Sequence, residues 1–278
     1  MIAASDLAVG PNRFIAAIVD QRTNALITDA QVHLQFFKLD DSGRPQALKS
    51  EMDARPLTVQ KNYTHVHPDG KVETHEAGSV GVYLANVEFD VSGPWGVAIT
   101  GTQKGGQPLP TLTPSFAVRP KSLSVPVGQP APRTRQTLLR DVADISEIDT
   151  SNPPDPQMHD TTIADAVGSG KPTVIVFATP GFCQTQICGP TKDLVDQLYQ
   201  KYQGQANFIH VEPYDLKKLR SGQKFETVPA TDEWGLQTEP WVFLVDRDGK
   251  VAAKFEGIVS FEELERAFTP LLVSDKSY

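Results

Sequence analysis

Two cysteines stand close together in a chain that has no others. The 278-residue sequence has 2 cysteines, Cys183 and Cys188, which are separated by residues 184–187. So few thiols cannot form a disulfide scaffold or a cysteine-rich structural zinc site. An isolated close pair is typical of thiols that exchange disulfides or reduce a peroxide. The alternative is a structural disulfide that ties down a loop.

The residues after Cys188 favour a reactive thiolate. Gly189 and Pro190 are followed by a helical stripe over 190–202. Proline is tolerated in a first helical turn because its missing N–H group would be unpaired there anyway. Cys188 then lies at the helix start, where free N–H groups and the helix dipole lower a thiol pKa. We therefore predict that Cys188 is the nucleophile and that Cys183 resolves the mixed disulfide.

Strands and helices alternate around this pair. Apolar runs predict strands at 173–177, 207–211, 241–245 and 251–255, the last two joined by the turn residues 246–249. Helical patterns cover about 213–220 and 228–235, and a capping box formed by Ser260 and Glu263 opens a final helix. A parallel strand–helix–strand unit, a hairpin and a closing helix are expected.

Three segments carry a family resemblance. The sequence from Cys188 to Lys192, C-G-P-T-K, resembles the thioredoxin motif C-G-P-C-K, with Thr191 in place of the second cysteine. The segment 127–132 is similar to the start of TlpA-like and AhpC/TSA-like proteins, and 238–246 resembles their strand that carries a cis-proline. The resemblance covers 127–273. It implies a thioredoxin-like α/β fold, and thiol–disulfide oxidoreductase activity is the favoured function.

The resemblance also implies a substrate groove. It predicts a cis bond between Glu239 and Pro240 that faces the cysteines, with Pro190 and Thr191 on the other side. Main-chain groups beside Pro240 could then pair with an extended substrate segment. If the Glu239 carboxylate lies opposite the thiols, like-charge repulsion raises their pKa.

The cysteine spacing differs from that of thioredoxin. C-x-x-x-x-C is the spacing of PrxQ-type peroxiredoxins, and Thr179-Pro180-Gly181 ahead of Cys183 adds to that likeness. It implies that Cys183 is the peroxidatic cysteine and Cys188 the resolving one. The peroxiredoxin pattern P-x-x-x-T-x-x-C is not met, and Pro240 replaces the expected arginine. A peroxidase is therefore the second hypothesis.

The first 120 residues predict an all-β unit. Short apolar runs at 14–19, 32–37, 80–89, 95–100 and 115–118 alternate with turn residues, and no amphipathic helix stands out. This pattern favours an immunoglobulin-like β-sandwich, and 81–97 resemble the extracytoplasmic domains of the YtkA/FixH type. The predicted domains are a sandwich at 1–120, a Pro-rich linker or leading arm at 121–156, and a thioredoxin-like domain at 157–278.

Histidines offer a separate hypothesis. His65, His67 and His75 could chelate copper or zinc from one hairpin, although a solvated hairpin is the simpler interpretation. His159 follows Met158 and suggests the Sco-type copper chaperones, whose C-x-x-x-C spacing differs from this one. An ordinary surface position for His159 is the simpler interpretation, and no cofactor is expected.

Composition limits the partners. A net charge of −8 and a pI near 5.3 argue against nucleic acid, and no apolar run is long enough to span a membrane. Residues 1–6 show no signal peptide. The resemblances nevertheless imply an extracytoplasmic protein, periplasmic or at the cell surface, with a membrane tether outside this chain as an option. Its expected partners are protein thiols, disulfides or a reductant. The non-enzyme alternative is a binding or scaffold protein with a structural disulfide.

Overall fold

A computed structural model describes residues 1–66, 72–183 and 187–273, without the side chains of 61–77. Contacts divide the chain into two compact units, Met1–Val59 with Ser79–Leu123, and Gln60–Gly78 with Ser124–Tyr278. No helix in the described ranges is long and apolar enough to cross a membrane. The histidine side chains proposed for a hairpin metal site fall outside the described part, so that hypothesis stays a prediction (His65, His67 and His75).

Six strands form one continuous sheet in the N-terminal half. The strands are β1 (Gly10–Ala16), β2 (Ala30–Leu39), β3 (Pro45–Val66), β4 (Val72–Phe89), β5 (Gly93–Gln103) and β6 (Ser115–Val118). Their order is β1-β4-β3-β2-β5-β6. The two edges approach each other, since Ala8 bridges Arg119 in parallel and the Arg119 N–H group donates to the Leu7 carbonyl at 2.9 Å. The sheet therefore curves round a single interior.

Aromatic rings fill that interior. Phe14 and Phe36 meet edge to face with their centroids 5.0 Å apart, and Phe89 and Trp95 are 4.8 Å apart. All four side chains are fully buried, because alternate residues of each strand point inward. The predicted all-β architecture is confirmed, and the immunoglobulin-like subtype stays a prediction.

The second unit is built on a four-stranded sheet. Its strands are β7 (Thr173–Phe177), β8 (Asn207–Val211), β9 (Trp241–Val245) and β10 (Val251–Glu256), in the order β10-β9-β7-β8. β7 and β8 are parallel, whereas β9 is antiparallel to both β7 and β10. The helices are α1 (Ile163–Ala166), α2 (Cys188–Tyr202), α3 (Leu216–Arg220), α4 (Pro229–Glu233) and α5 (Phe261–Leu272).

Both faces of this sheet are covered. Ile175 and Phe177 of β7 belong to a core with Trp234, whereas Val176 belongs to a core with Leu198 of α2 on the opposite side. β7 is buried on both faces, which explains its unbroken apolar sequence. All four strands predicted for this half are confirmed, with β10 one residue longer than expected.

The proline-rich segment before β7 is hydrogen-bonded to this second unit. The Gly128 N–H group donates to the Val251 carbonyl at 2.7 Å, and the Ala131 N–H group donates to the Gly249 carbonyl at 2.8 Å. Further along, the Trp234 indole donates to the Thr134 hydroxyl at 3.1 Å. The segment is thus an ordered leading arm from Gly128 onward, while the exact domain boundaries stay a prediction.

Candidate functional site

A disulfide joins the two cysteines at the start of α2. The Cα atoms of Cys183 and Cys188 are 6.0 Å apart, and α2 begins at Cys188. A regular helix over 183–188 would hold the two Cα atoms too far apart for a disulfide. The pairing therefore requires that Cys183 lie outside the helix. The predicted position of Cys188 at a helix start is confirmed.

The two sulfurs differ in access. Cys188 is fully buried in the core beneath α2, whereas Cys183 is half-buried at the surface. The Cys188 N–H group lies 3.3 Å from the Cys183 sulfur and donates to it. A backbone donor at a helix start stabilises a thiolate. The backbone donor at the helix start thus points at Cys183, and the assignment of Cys188 as the nucleophile stays a prediction.

The predicted groove residues are brought together by the loop after β10. Glu239 and Pro240 are joined by a cis bond, as predicted, and the Pro240 carbonyl accepts the Gly257 N–H group at 2.8 Å. The Thr191 hydroxyl lies 3.5 Å from the Gly257 carbonyl. Pro190 is half-buried in the first turn of α2. Gly257 thus bridges the helix start and the cis-proline segment.

Glu239 lies beside the disulfide. Its carboxylate has an oxygen within 4.8 Å of both the Cys183 and the Cys188 sulfur. Burial raises the pKa of Glu239 to about 7, and the negative charge of Glu212 adds to that shift. Its Oε2 atom is buried without a hydrogen-bond partner. Near neutral pH this carboxyl can therefore both accept and release a proton.

A second buried acid, Glu212, lies just beyond β8. Its Oε1 atom accepts the Thr150 N–H group at 2.7 Å and the Thr150 hydroxyl at 2.6 Å. Burial raises the pKa of Glu212 above its usual range. The Thr150 hydroxyl also accepts the Gly181 N–H group at 2.9 Å. Thr150 in the leading arm therefore connects the loop before Cys183 to this acid.

Asp149, His159 and His210 form a buried cluster. His159 Nε2 lies 3.1 Å from Asp149 Oδ2, and His210 Nδ1 lies 3.5 Å from Asp149 Oδ1. Burial opposes the ionisation of Asp149, but the two histidines that face its carboxylate outweigh burial and hold its pKa below the usual range. His159 is 2% exposed, so the interpretation of it as a surface residue was wrong. His159 is buried because its imidazole is hydrogen-bonded to the Asp149 carboxylate.

Sequence reasoning did not single out Asp149, His210 or Glu212. They come from the leading arm and from the end of β8, and no short motif relates them. A histidine inside the apolar run of β8 was the available signal, because a buried polar side chain needs a partner. The partner itself could not be read from the sequence.

Among the side chains that the structure describes, two groups have the spacing of metal ligands. In one, the sulfurs of Cys183 and Cys188 join an oxygen of Glu239, which would require a reduced disulfide; the other is the buried cluster. Sco-type chaperones use a histidine with their cysteines. His159 instead faces Asp149.

The fold and this site define a thioredoxin-like domain. Residues 159–270 match the family model described as a thioredoxin-like domain. The predicted fold class, an all-β unit followed by a thioredoxin-like α/β unit, is confirmed. The TlpA-like and AhpC/TSA-like subtypes stay predictions.

One solved structure similar to this chain comes from Chlorobium tepidum. It is described provisionally as a thiol:disulfide interchange protein, DsbE. The identity is 20% and the TM-score 0.32, over 41% of this chain and 86% of the other. No curated protein matches the chain.

Proposed function

We propose that this protein is a thiol–disulfide oxidoreductase whose redox centre is the pair Cys183 and Cys188. The observation that carries the proposal is the disulfide at the start of α2 with the carboxyl of Glu239 within 4.8 Å of both sulfurs. A purely structural disulfide needs no such acid. An exchange centre gains from one, because protons enter and leave as thiols become thiolates.

Access supports a division of roles between the cysteines. Cys183 is the half-buried sulfur, so it meets the external partner, and Cys188 is the buried sulfur that completes the exchange. In the reducing direction, the Cys183 thiolate attacks a substrate disulfide. A mixed disulfide forms, and one substrate sulfur leaves as a thiolate.

The second step releases the substrate. Glu239 takes the proton from the Cys188 thiol, and the resulting thiolate attacks the Cys183 sulfur. The intramolecular disulfide re-forms, and the second substrate sulfur leaves as a thiolate that takes the proton back from Glu239. The two electrons gained by the substrate come from Cys183 and Cys188, so a dithiol donor must reduce the pair again. Run in reverse, the same steps oxidise a dithiol.

The proposed substrate is a protein thiol or disulfide in an extended segment. Cys183 is half-buried just ahead of α2, and an extended backbone can pair with main-chain groups beside the cis-proline Pro240. We place this activity outside the cytoplasm, in line with the family resemblance. Nucleic acid is not among the proposed partners, given the net charge of −8.

The midpoint potential of the cysteine pair tests the proposal. The protein is equilibrated in defined thiol redox buffers, free thiols are alkylated, and the reduced fraction is measured by mass. A midpoint between about −120 and −270 mV is expected for an exchange centre. A disulfide that stays closed below about −300 mV would make it structural and would favour the scaffold alternative.

Peroxide reduction is the second candidate, since it also requires the accessible Cys183 to react first. Reduced protein is mixed with hydrogen peroxide, and the rate of thiol loss is compared with that of a free thiol such as glutathione. We expect no acceleration, because Pro240 occupies the place of the expected arginine. A strong acceleration would favour the peroxidase.

A further inference from the structure

The buried cluster of Asp149, His159 and His210 plays no part in the exchange proposed above. The three side chains come from the leading arm, the 3-10 turn Pro156–His159 and β8, and each is at most 2% exposed. Burying a carboxylate and two imidazoles is costly unless each polar atom is hydrogen-bonded or paired. One atom of this cluster, His210 Nδ1, has no hydrogen-bond partner.

The outer hydrogen bond of His210 fixes the state of its ring. Nε2 lies 2.9 Å from the Ala178 carbonyl, which can only accept, so Nε2 carries a hydrogen. In the neutral ring, Nδ1 then presents a lone pair. That atom is buried without a hydrogen-bond partner, and it faces the Asp149 carboxylate at 3.5 Å. A lone pair and a carboxylate repel each other unless a cation lies between them.

The spacing of the three groups suits a metal ion. One ligand atom from each residue lies within 4.8 Å of the other two. His159 Nε2 lies 3.1 Å from Asp149 Oδ2, and His210 Nδ1 lies 3.5 Å from Asp149 Oδ1, so the two imidazoles face the two oxygens of one carboxylate. A tetrahedral zinc ion, with bonds of about 2.0–2.1 Å, separates its ligand atoms by roughly 3.3 Å. Two imidazoles and one carboxylate also match the ligands that zinc and other first-row divalent transition metals bind.

Hydrogen bonds to the backbone orient Asp149 and His210. The Asp149 carboxylate accepts the Ser151 N–H group at 2.7 Å and the Asp155 N–H group at 3.1 Å. The Ala178 carbonyl accepts a hydrogen bond from His210 Nε2 and so orients that ring. Such outer bonds orient ligands in metal sites and fix the imidazole tautomer.

A cavity lies beside two of the three side chains. A cavity of about 350 Å³ in the same unit is lined by His159 and His210, together with Glu212 and Tyr214. A site with three protein ligands commonly takes its remaining ligand from solvent.

We propose that Asp149, His159 and His210 bind a divalent transition-metal ion of the zinc class. Asp149 provides its carboxylate, His159 its Nε2 atom and His210 its Nδ1 atom. The site is separate from the cysteine pair and does not depend on the thiol chemistry proposed above. The competing partner is a proton on His210 Nδ1, which would make the cluster a buried ion pair.

Zinc titration of the oxidised, metal-stripped protein tests the site. The disulfide removes both thiols as ligands, and a variant with H65A, H67A and H75A removes the other histidine cluster. We expect this triple variant to bind one equivalent of Zn²⁺ by calorimetry. Adding D149N to it should abolish binding. Failure of the triple variant to bind zinc would overturn the proposal, as would undiminished binding after D149N.

A measurement on the unaltered chain guards against misfolding of the variants. Ring ¹⁵N signals of its 6 histidines are recorded before and after zinc is added. We expect the signals of His159 and His210 to shift together at one equivalent. If both stay unchanged at saturating zinc, the shared cation is a proton and the metal site is rejected. Neither result bears on the midpoint potential of the cysteines.

Discussion

The carboxylate of Glu239 and the sulfur of Cys188 lie within 4.8 Å of one another, at a place where Cys188 is fully buried. A buried acid this close affects the thiols in two opposite ways. Ionised, it repels a thiolate and raises the thiol pKa. It also accepts the proton that a buried thiol must lose before it can react. Replacing Glu239 should therefore change the thiol pKa and the rate of proton loss in different ways.

Replacing Glu239 with glutamine should make Cys183 more acidic. The substitution removes the negative charge beside the sulfurs, so the pKa of the Cys183 thiol should fall by about one unit. The rate of alkylation by iodoacetamide, measured against pH on the reduced protein, reports this pKa. The exposed Glu262→Gln is the matched control. An unchanged pH profile in E239Q would rule out the repulsion.

The same substitution should slow the second step of exchange. Without its carboxylate, Cys188 loses its proton acceptor, and general-base catalysis is typically worth about 10²-fold or more. Stopped-flow measurement of the decay of a mixed disulfide on Cys183 would show the loss. A faster first step with a slower second step is the expected signature. If the second step kept its normal rate in E239Q, the acceptor of the Cys188 proton would be solvent and not Glu239.

Stability should depend on pH through Glu239. Its pKa is about 7 in the folded protein against an ordinary value of 4.5, so the folded state binds more protons between these values. The free energy of unfolding should therefore fall as pH rises through this window, by up to about 3 kcal/mol for this group. Urea unfolding of the oxidised protein at pH 5 and pH 8 should show a smaller fall in E239Q than in Glu262→Gln.

Single cysteine variants should trap substrates unequally. C188S keeps the accessible sulfur and lacks the resolving one, so mixed disulfides should accumulate on Cys183. C183S keeps only the fully buried Cys188 and should trap little. Mass spectrometry after incubation with a disulfide-containing peptide measures both. Preferential trapping by C183S would restore the role order predicted from the sequence.

Thr150 should contribute to stability through Glu212. Thr150→Val removes the hydroxyl that donates to Glu212 at 2.6 Å and leaves that buried carboxyl with one fewer partner. The expected loss is about 1–3 kcal/mol of unfolding free energy. Urea unfolding measures it, with the exposed Thr137→Val of the same arm as control. Equal stability of the two variants would contradict the assigned bond.

The strands of the second unit could be predicted because their signal is local. β7, β8 and β9 are short runs of β-branched and aromatic residues that are buried almost throughout, so composition alone marks them. β3 was missed for the opposite reason. From Pro45 to Asp53 most of its side chains are exposed and polar, so it has no apolar period.

The site could be predicted only in part. The start of α2 follows from Pro190, and the cis bond follows from the family resemblance. Which cysteine is buried depends on how α2 packs on the sheet, and that information is not local. The cluster of Asp149, His159 and His210 depends on the leading arm returning to β8, which no spacing in the sequence encodes.

The leading arm also determines where the second unit can be cut. The family match begins at residue 159, but Thr134, Asp149 and Thr150 all precede it. A fragment that starts at 157 would leave the Trp234 indole and the Glu212 carboxyl without the bonds described above. It would also expose the edge of β10, against which Gly128 and Ala131 now pair. An autonomous, non-aggregating fragment should therefore begin upstream of Gly128.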